Sequence, residues 1–269
     1  MRVRITFNVS NRGALVPFHH QFLISKVIKE LLLKDDAKEY KEYPFYSFSG
    51  LKGQTRLSRN GLRYNSKKVT IVVSSLSEEF IGHLVGLILK EECISIAELK
   101  IHPEIAEEEV SVSLERNTKY LCISPLVLIS PDQGPEASKQ FIDPSYDEFS
   151  DYLYDTTIIR MSKYGIETDK IPEVQKFQLV PDKDYLDKIR SSNKKFARIY
   201  PVYSNGEKQE VRGYTFPFTL YAADEIQDFI FTCGLGAQCC KGFGMLDLAN
   251  SNPIERTVPF MTKSELVSA

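Results

Sequence analysis

The strongest constraint on the fold of this chain is a hydrophobic period that changes from two to 3.6 residues twice within its first hundred residues. Residues 2–9 (RVRITFNV) alternate apolar and polar side chains, which predicts a β-strand. Residues 22–33 (FLISKVIKELLL) then place apolar side chains on one helical face and polar ones on the other. The same change recurs as a strand over residues 68–74 followed by a helix over residues 78–89.

Shorter strand-like segments complete the first half of the chain. They cover residues 40–51, 62–64, 94–101 and 110–114, and we interpret 62–64 and 68–74 as one hairpin. Ser75 or Ser77 is the predicted cap of the second helix. The resulting order is strand, helix, strand, strand, helix, strand, which is that of a ferredoxin-like (βαββαβ, RRM-like) domain. An acidic run, EIAEEE, lies near its end.

The second half follows the same order more loosely. The length of 269 residues corresponds to about two domains of ~150 residues each. We therefore predict an α+β protein of two tandem ferredoxin-like domains, 1–114 and 115–269, joined near residues 109–117. The predicted elements of the second half are a strand over 119–129 bent at Pro125, a loop over 130–136, a helix within 144–164, a strand over 176–180, strands over 198–204 and 210–221 around an Asn205-Gly206 turn, a helix over 223–232 and a last strand within 242–248.

A glycine-rich segment lies near the C-terminus, at residues 234–244 (GLGAQCCKGFG). Glycines allow another molecule to approach the main chain closely, and exposed N–H groups in such a loop can hold phosphate oxygens. Lys241 would add positive charge at the same place. The segment is neither a P-loop nor a Rossmann fingerprint, because it lacks Gly-Lys-Ser/Thr and leads into a strand. A tight turn between helix and strand is the alternative interpretation.

Positive charge is concentrated although the whole chain is nearly neutral. The formal net charge is −2, which is not that of a general nucleic-acid binder. Residues 52–68, however, contain six bases and no acid. A second stretch, residues 183–198, has six bases against two acids. We predict phosphate contacts for such stretches, with solvated loops as the alternative.

Cysteine usage and hydropathy give no sign of secretion or of a membrane span. The five cysteines are odd in number and form no CxxC pair, so neither a disulfide framework nor a zinc site is indicated. No signal peptide and no apolar run of membrane-spanning length is present in this sequence. We expect a cytoplasmic protein with reduced thiols, no membrane partner, no metal and no cofactor.

Several short motifs resemble one known family. The segment GLGAQCCKGFGMLDL is similar to the glycine-rich loop of the RAMP superfamily. The N-terminal strand followed by VPFHHQFL and a helix resembles the start of the CRISPR-RNA-processing endoribonucleases, the sixth Cas-protein family. YSFSGL at 46–51 and SPL at 124–126 are similar to later motifs of that family, in the right order. The resemblance spans nearly the whole chain and implies paired ferredoxin-like domains.

The resemblance also implies an activity, which is metal-independent cleavage of CRISPR repeat RNA. The 2′-hydroxyl beside the scissile phosphate attacks phosphorus and leaves a 2′,3′-cyclic phosphate and a 5′-hydroxyl. This step needs a base, an acid and a cation. Many family members carry a histidine in a short second helix, but residues 34–44 here contain none. The candidate catalytic residues are therefore His19, His20, Lys26, Lys29, Tyr40 and Tyr43; His83 and His102 are interpreted as structural.

The candidate RNA contacts follow from the basic and glycine-rich stretches. They are Lys52, Arg56, Arg59, Arg63, Lys67, Lys68, Gly234, Gly236, Lys241, Gly242 and Gly244. CRISPR repeat RNA is the expected partner, and by the resemblance alone other Cas proteins and a second copy of the chain are further candidates. Two alternatives stay open: an RNA-binding RAMP subunit that does not cleave, and a tandem ferredoxin-like module that binds a phosphorylated small ligand.

Overall fold

The chain divides into two compact units. The computed structural model describes residues 1–129, 139–204, 207–249 and 251–261. The first unit comprises Met1–Ser111 and Asn252–Ala269, and the second comprises Val112–Ser251. The predicted loop at 130–136 and the predicted turn at 205–206 lie outside the described residues.

The first unit is built on a six-stranded antiparallel sheet with the strand order β16-β8-β1-β6-β3, in which β7 also pairs with β8. Within it, β8-β1-β6-β3 with the two helices has the strand order of a ferredoxin-like domain. The elements are β1 (Arg2–Val9), β2 (Leu15–Val16), α1 (Gln21–Lys34), β3 (Tyr46–Phe48), β4 (Thr55–Ser58), β5 (Gly61–Tyr64), β6 (Lys68–Ser75), α2 (Glu78–Lys90), β7 (Ile94–Ile96), β8 (Leu99–Glu109) and, after the second unit, β16 (Thr257–Pro259).

The core of the first unit forms where the alternating strands meet the apolar helical faces. Val3, Ile5 and Phe7 of β1 are buried, as are Ile24 and Ile28 of α1. Side chains of β1, α1, β6 and α2 line one small apolar interior space, which places both helices against the same sheet face. Of the two serines predicted as the cap of α2, Ser77 is the one observed, since its hydroxyl accepts a hydrogen bond from the backbone N–H of Phe80.

Strand β5 does not form a hairpin with β6, so that prediction is wrong. It pairs instead with β4 and with β2 in a separate three-stranded sheet, β2-β5-β4. Strand β6 pairs with β1 and β3. Only residues 65–67 separate the two strands, and so short a connection is typical of a hairpin. The sequence alone therefore did not indicate that the strands belong to different sheets. The β4–β5 hairpin turns through Arg59 and Asn60.

The last long strand of the first unit lies earlier than predicted. Strand β8 ends at Glu109, and residues 110–114 form no strand. The segment predicted as one strand over 94–101 is a hairpin of β7 and β8 that turns at Ala97 and Glu98. The acidic run is therefore part of β8. A bulge opposite Thr6 and Phe7 accommodates Glu104, next to Pro103, which has no N–H to donate to the ladder.

The second unit repeats the ferredoxin-like order. Its four-stranded sheet is β11-β14-β9-β15, and a second sheet is β10-β13-β12. Both units therefore confirm the predicted fold class. The elements are β9 (Asn117–Cys122), β10 (Leu126–Val127), α3 (Asp147–Tyr164), β11 (Gln178–Pro181), α4 (Lys183–Ser191), β12 (Ala197–Ser204), β13 (Glu207–Tyr214), β14 (Phe218–Tyr221), α5 (Asp224–Cys233) and β15 (Leu246–Leu248).

Helix α4 covers the first half of the second basic stretch, residues 183–198, for which a solvated loop was the alternative interpretation. It begins after Asp182, whose carboxylate accepts a hydrogen bond from the N–H of Tyr185 at 2.9 Å. Leu186 is its one buried residue. Tyr185 and Ile189 lie on the same face as Leu186, but this apolar face is little more than one turn long in a charged stretch, and it was not recognised in the sequence.

The division of the chain differs from the predicted boundaries 1–114 and 115–269. The segment beginning at Asn252 clusters with the first unit. The reason is β16, which pairs with β8 so that Thr257, Val258 and Pro259 lie opposite Glu109, Glu108 and Glu107. A three-residue strand carries no periodicity that could have predicted this return.

A buried ion-pair network joins β1 to β8. Glu109 accepts hydrogen bonds from Arg2 Nε at 3.0 Å and from Arg4 Nη2 at 3.1 Å. All three side chains are buried, and Glu109 retains only 1% of its side-chain exposure. Charges that are removed from water need such partners, because an unpaired buried charge is far more costly than a paired one.

We expect the Glu109→Gln substitution to lower the free energy of unfolding by about 3 kcal/mol, because two buried guanidinium groups would lose their counter-charge. Equilibrium unfolding in urea measures this loss. Glu104→Gln is the matched control, because Glu104 lies in the same strand as Glu109. This substitution removes a partly exposed ion pair with Lys68 of β6 and should cost less than ~1 kcal/mol. Equal losses in the two variants would contradict the prediction.

Candidate functional site

The β4–β5 hairpin presents all three arginines of the basic stretch 52–68. Arg56 and Arg63 lie directly opposite each other in the ladder, and Arg59 lies in the turn. All three side chains are exposed. The turn depends on Gly61, because a Cβ there would lie 2.2 Å from the Val16 carbonyl oxygen of β2. Close packing of β2 on β5 therefore positions the arginine-bearing hairpin.

The other three bases of the stretch lie apart from this hairpin. Lys68 begins β6 and forms an ion pair with Glu104 at 2.7 Å. The carbonyl of Lys67 accepts a hydrogen bond from Val9, and the main chain of Lys52 bridges to Thr70. The six bases that the sequence places in one run are thus divided between two sheets. Among them, Lys68 is neutralised by a close acid.

The two candidate lysines of α1 are exposed and lie near carboxylates. Lys26 Nζ is 3.7 Å from Glu30, and Lys29 Nζ is 3.8 Å from Glu42. Both ion pairs are solvent-exposed, so they hold the lysines only weakly. The two ammonium groups remain available to an anion of higher charge density.

His20 has a structural position. Its Nδ1 is 3.1 Å from the Pro17 carbonyl oxygen, and its Nε2 accepts a hydrogen bond from the backbone N–H of Leu51 at 3.3 Å. Burial lowers the pKa of His20, and the neighbouring His19 lowers it further, against the raising effect of Pro17. Through its two ring nitrogens, His20 therefore connects Pro17, just before α1, to Leu51, just after β3. His19 is half-buried beside it.

The candidate tyrosines belong to an aromatic cluster around Phe80 of α2. The Tyr40 and Tyr43 rings lie 5.6 and 4.6 Å from the Phe80 ring. The Tyr43 hydroxyl is 3.2 Å from Ser75 Oγ. Desolvation raises the pKa of Tyr40, and Glu39 and Glu79 raise it further. Both tyrosines are half-buried in this cluster.

Sequence reasoning missed one cluster that involves His83. The His83 Nε2 atom is 3.0 Å from Asp35 Oδ2, and its ring centroid is 5.0 Å from that of Tyr40. The backbone N–H of Ala37 lowers the pKa of Asp35, and His83 contributes to the same direction. Asp35 ends α1 whereas His83 lies mid-way in α2, so no local spacing could have shown that they meet.

The glycine-rich segment serves mainly to pack the second unit. Gly234, Gly236, Gly242 and Gly244 are buried. The N–H groups of Gly234, Gly242 and Gly244 donate to carbonyls of Ile230, Cys239 and Pro125. A Cβ at Gly244, where φ is +69°, would lie 2.0 Å from the Leu235 carbonyl oxygen. We predict from the sequence that exposed N–H groups of this loop hold phosphate oxygens. In the structure the glycines instead allow two parts of the main chain to pack closely against each other.

The Arg160 side chain of α3 binds the main chain at the start of the glycine-rich segment. Its guanidinium donates to the carbonyl oxygens of Cys233 at 2.6 Å, Gly234 at 2.6 Å and Gly236 at 3.1 Å, and it lies over the Phe229 ring. One planar cation thus donates to three carbonyl oxygens within four residues and fixes the start of the segment. The part of the segment that is less buried is its tip, where Gln238 and Lys241 lie.

No metal-ligand cluster was found within the described ranges. No group of three or more His, Cys, Asp or Glu side chains there is arranged to hold an ion. Burial raises the pKa of the Cys239 thiol to about 11, so this thiol stays protonated at neutral pH. None of the helices in those ranges is both long and apolar enough to cross a bilayer.

We expect stability to fall with acid more steeply in the native chain than in the His20→Gln variant. The folded-state pKa of His20 lies below 6.5, so the unfolded state binds the extra proton first as pH decreases. The contribution of His20 is present above about pH 6.5 and decreases below it. Glutamine can replace both hydrogen bonds without titrating. Urea unfolding between pH 8 and 5.5 measures both slopes, and equal slopes would contradict the assignment.

Comparisons with known proteins place the chain in one family. Residues 105–248 match the family model described as "CRISPR associated protein Cas6, C-terminal". A comparison with curated proteins gave no match.

Several solved structures share the fold. "An RAMP protein binding different RNA substrates" has a TM-score of 0.73 at 19% identity, over 93% of this chain and 100% of that one. "Characterization of a Cas6-related gene from Pyrococcus furiosus" has 0.73 at 19%, over 94% and 99%. "CRISPR associated protein Cas6" has 0.72 at 17%, over 93% and 99%. Since the family model spans more than half of the 269 residues, this chain belongs to the Cas6 family of CRISPR-associated proteins.

Proposed function

We propose that this Cas6-family chain binds CRISPR repeat RNA and cleaves it without a metal ion. Family membership supports the RNA class. The observation that carries the binding is the exposed β4–β5 hairpin, whose Arg56, Arg59 and Arg63 have no acid in their stretch of sequence. Phosphate oxygens are the ligands that exposed guanidinium groups bind most readily.

In the proposed reaction the 2′-hydroxyl oxygen attacks the adjacent phosphorus. A base takes the hydroxyl proton, the bond from phosphorus to the 5′-oxygen breaks, and an acid protonates the leaving oxygen. Lys26 and Lys29 would stabilise the charge that develops on phosphate, since both ammonium groups are exposed on one helix. His19 and Tyr40, both partly exposed, are the proton-transfer candidates of the same unit.

His20 and Tyr43 are assigned structural roles in this proposal. Both ring nitrogens of His20 already have main-chain partners, and the Tyr43 hydroxyl lies against Ser75. The glycine segment contributes through Lys241 at its tip, because most of its glycine N–H groups donate to the protein itself. The same internal bonding removes the support for a small phosphorylated ligand in that loop.

A Cas6-family protein that binds RNA without cleaving it is the second candidate. The absence of histidine from residues 34–44 favours it, because that segment is where many relatives carry one. The two candidates share the binding surface and differ only in the chemical step.

We expect a single cut when the protein is incubated with its cognate repeat RNA in EDTA, with a 2′,3′-cyclic phosphate at the new 3′ end. Mass spectrometry of the fragments identifies the end group. Chelation should leave the rate unchanged, because protein side chains supply the acid, the base and the cation. Tight binding with intact RNA would select the non-cleaving candidate.

We expect the Lys26→Ala/Lys29→Ala double variant to lose about 10²-fold in single-turnover cleavage rate while RNA affinity changes little. Saturating protein separates the rate from binding. Lys163→Ala, an exposed helical lysine of the second unit, is the matched control. His19→Ala tests the proton-transfer role in the same assay. An unchanged rate in the double variant would discard the lysine pair.

A further inference from the structure

Two arginines of the basic hairpin face each other across the strands. Arg56 and Arg63 are register partners in the antiparallel β4–β5 ladder, so their side chains project from the same face. Their Cβ atoms are therefore about 5 Å apart. Like charges in this arrangement destabilise a sheet. A pair that costs stability needs another reason for its presence.

Neither arginine of the pair forms an ion pair with an acid in the part of the chain that the structure describes. Arg63 Nη1 donates to the Gly13 carbonyl oxygen at 3.0 Å, which orients the guanidinium without neutralising it. Arg56 has neither an ion pair nor a side-chain hydrogen bond within the described ranges. Within β13, by contrast, an exposed lysine does have an acid beside it, since Lys208 Nζ lies 3.2 Å from Glu210 of the same strand.

We propose that Arg56 and Arg63 form a clamp for one phosphodiester group of an RNA strand. Guanidinium groups match phosphate oxygens with paired hydrogen bonds, and one anion between the two cations would convert their repulsion into attraction. Arg63 is already oriented by Gly13, whereas Arg56 is free to close on the ligand. The inference rests on the proposed RNA-binding function and assigns its central backbone contact.

Two further arginines extend the positive surface from this clamp. Arg59 lies in the hairpin turn, and Arg12 precedes the glycine whose carbonyl holds Arg63. Both are exposed. Arg12 lies outside the basic run of the sequence, and only the pairing of β2 with β5 brings its loop to the hairpin. A clamp flanked by single cations suits a continuous chain of phosphates better than an isolated anion.

The clamp predicts opposite effects on stability and on binding. In the Arg56→Thr variant the repulsion is removed and a residue of high β-propensity is added, so the urea midpoint without RNA should rise. The affinity for fluorescent cognate repeat RNA should fall about tenfold at ~0.1 M salt. The slope of log affinity against log salt should become shallower by ~0.7, the value for one phosphate contact on a single strand.

The controls separate this clamp from general charge and from folding. Lys208→Thr removes an exposed strand lysine elsewhere and should change neither the salt slope nor the affinity. Arg63→Lys keeps the charge and the fold but lacks the planar fork, so it should weaken binding while the salt slope is retained. An unchanged affinity in Arg56→Thr, or a lower urea midpoint, would overturn the clamp. If the native chain itself shows no salt-dependent RNA binding, the proposed function fails as well.

Discussion

The buried contact of Glu109 with Arg2 and Arg4 is the interaction on which the first unit depends. It joins the first strand to the last long strand, more than one hundred residues later in the chain, and it sets their register at the end of the ladder. A slip of one residue would turn every apolar side chain of β1 away from the helices. Because the three charged side chains are buried away from water, any other register would leave at least one of these charges buried without a partner. The network therefore contributes more to specifying the pairing than to the magnitude of stability.

The order of strands and helices was readable from the sequence, because the change of hydrophobic period records which face of each element is buried. Partner choice was not readable. Strands β5 and β6 are separated by three residues yet belong to different sheets, and only the close approach of β2 at Gly61 explains this. Helix α4 was missed because its apolar face, Tyr185, Leu186 and Ile189, spans little more than one turn within a charged stretch. Strand β16 is three residues long and pairs with a strand about 150 residues earlier in the chain. So short a strand shows no hydrophobic period, and its distant partner cannot be recognised from the sequence.

For the candidate site as well, residue composition could be read from the sequence, whereas the contacts of each residue could not. The surplus of arginines at 52–68 was visible in the sequence, and the structure separates the exposed hairpin arginines from Lys68, which Glu104 neutralises. The glycine-rich segment was recognised for its glycines, but their role is to let main chains pass closely while Arg160 binds three carbonyls. The sequence makes His20 a catalytic candidate and His83 a structural residue, but neither position reveals its contacts. One is a buried connector of main chains, and the other lies against a carboxylate and a tyrosine.

The pairing of β16 with β8 has a consequence for the order of folding during synthesis. All of the second unit leaves the ribosome before Thr257–Pro259 does, although these residues complete the sheet of the first unit. Until then the outer edge of β8 from Glu107 to Glu109 has unpaired main-chain groups. Glu107 and Glu108, which keep part of their exposure at this edge, repel a second nascent edge of the same kind. The acidic run thus protects a strand that must wait for its partner.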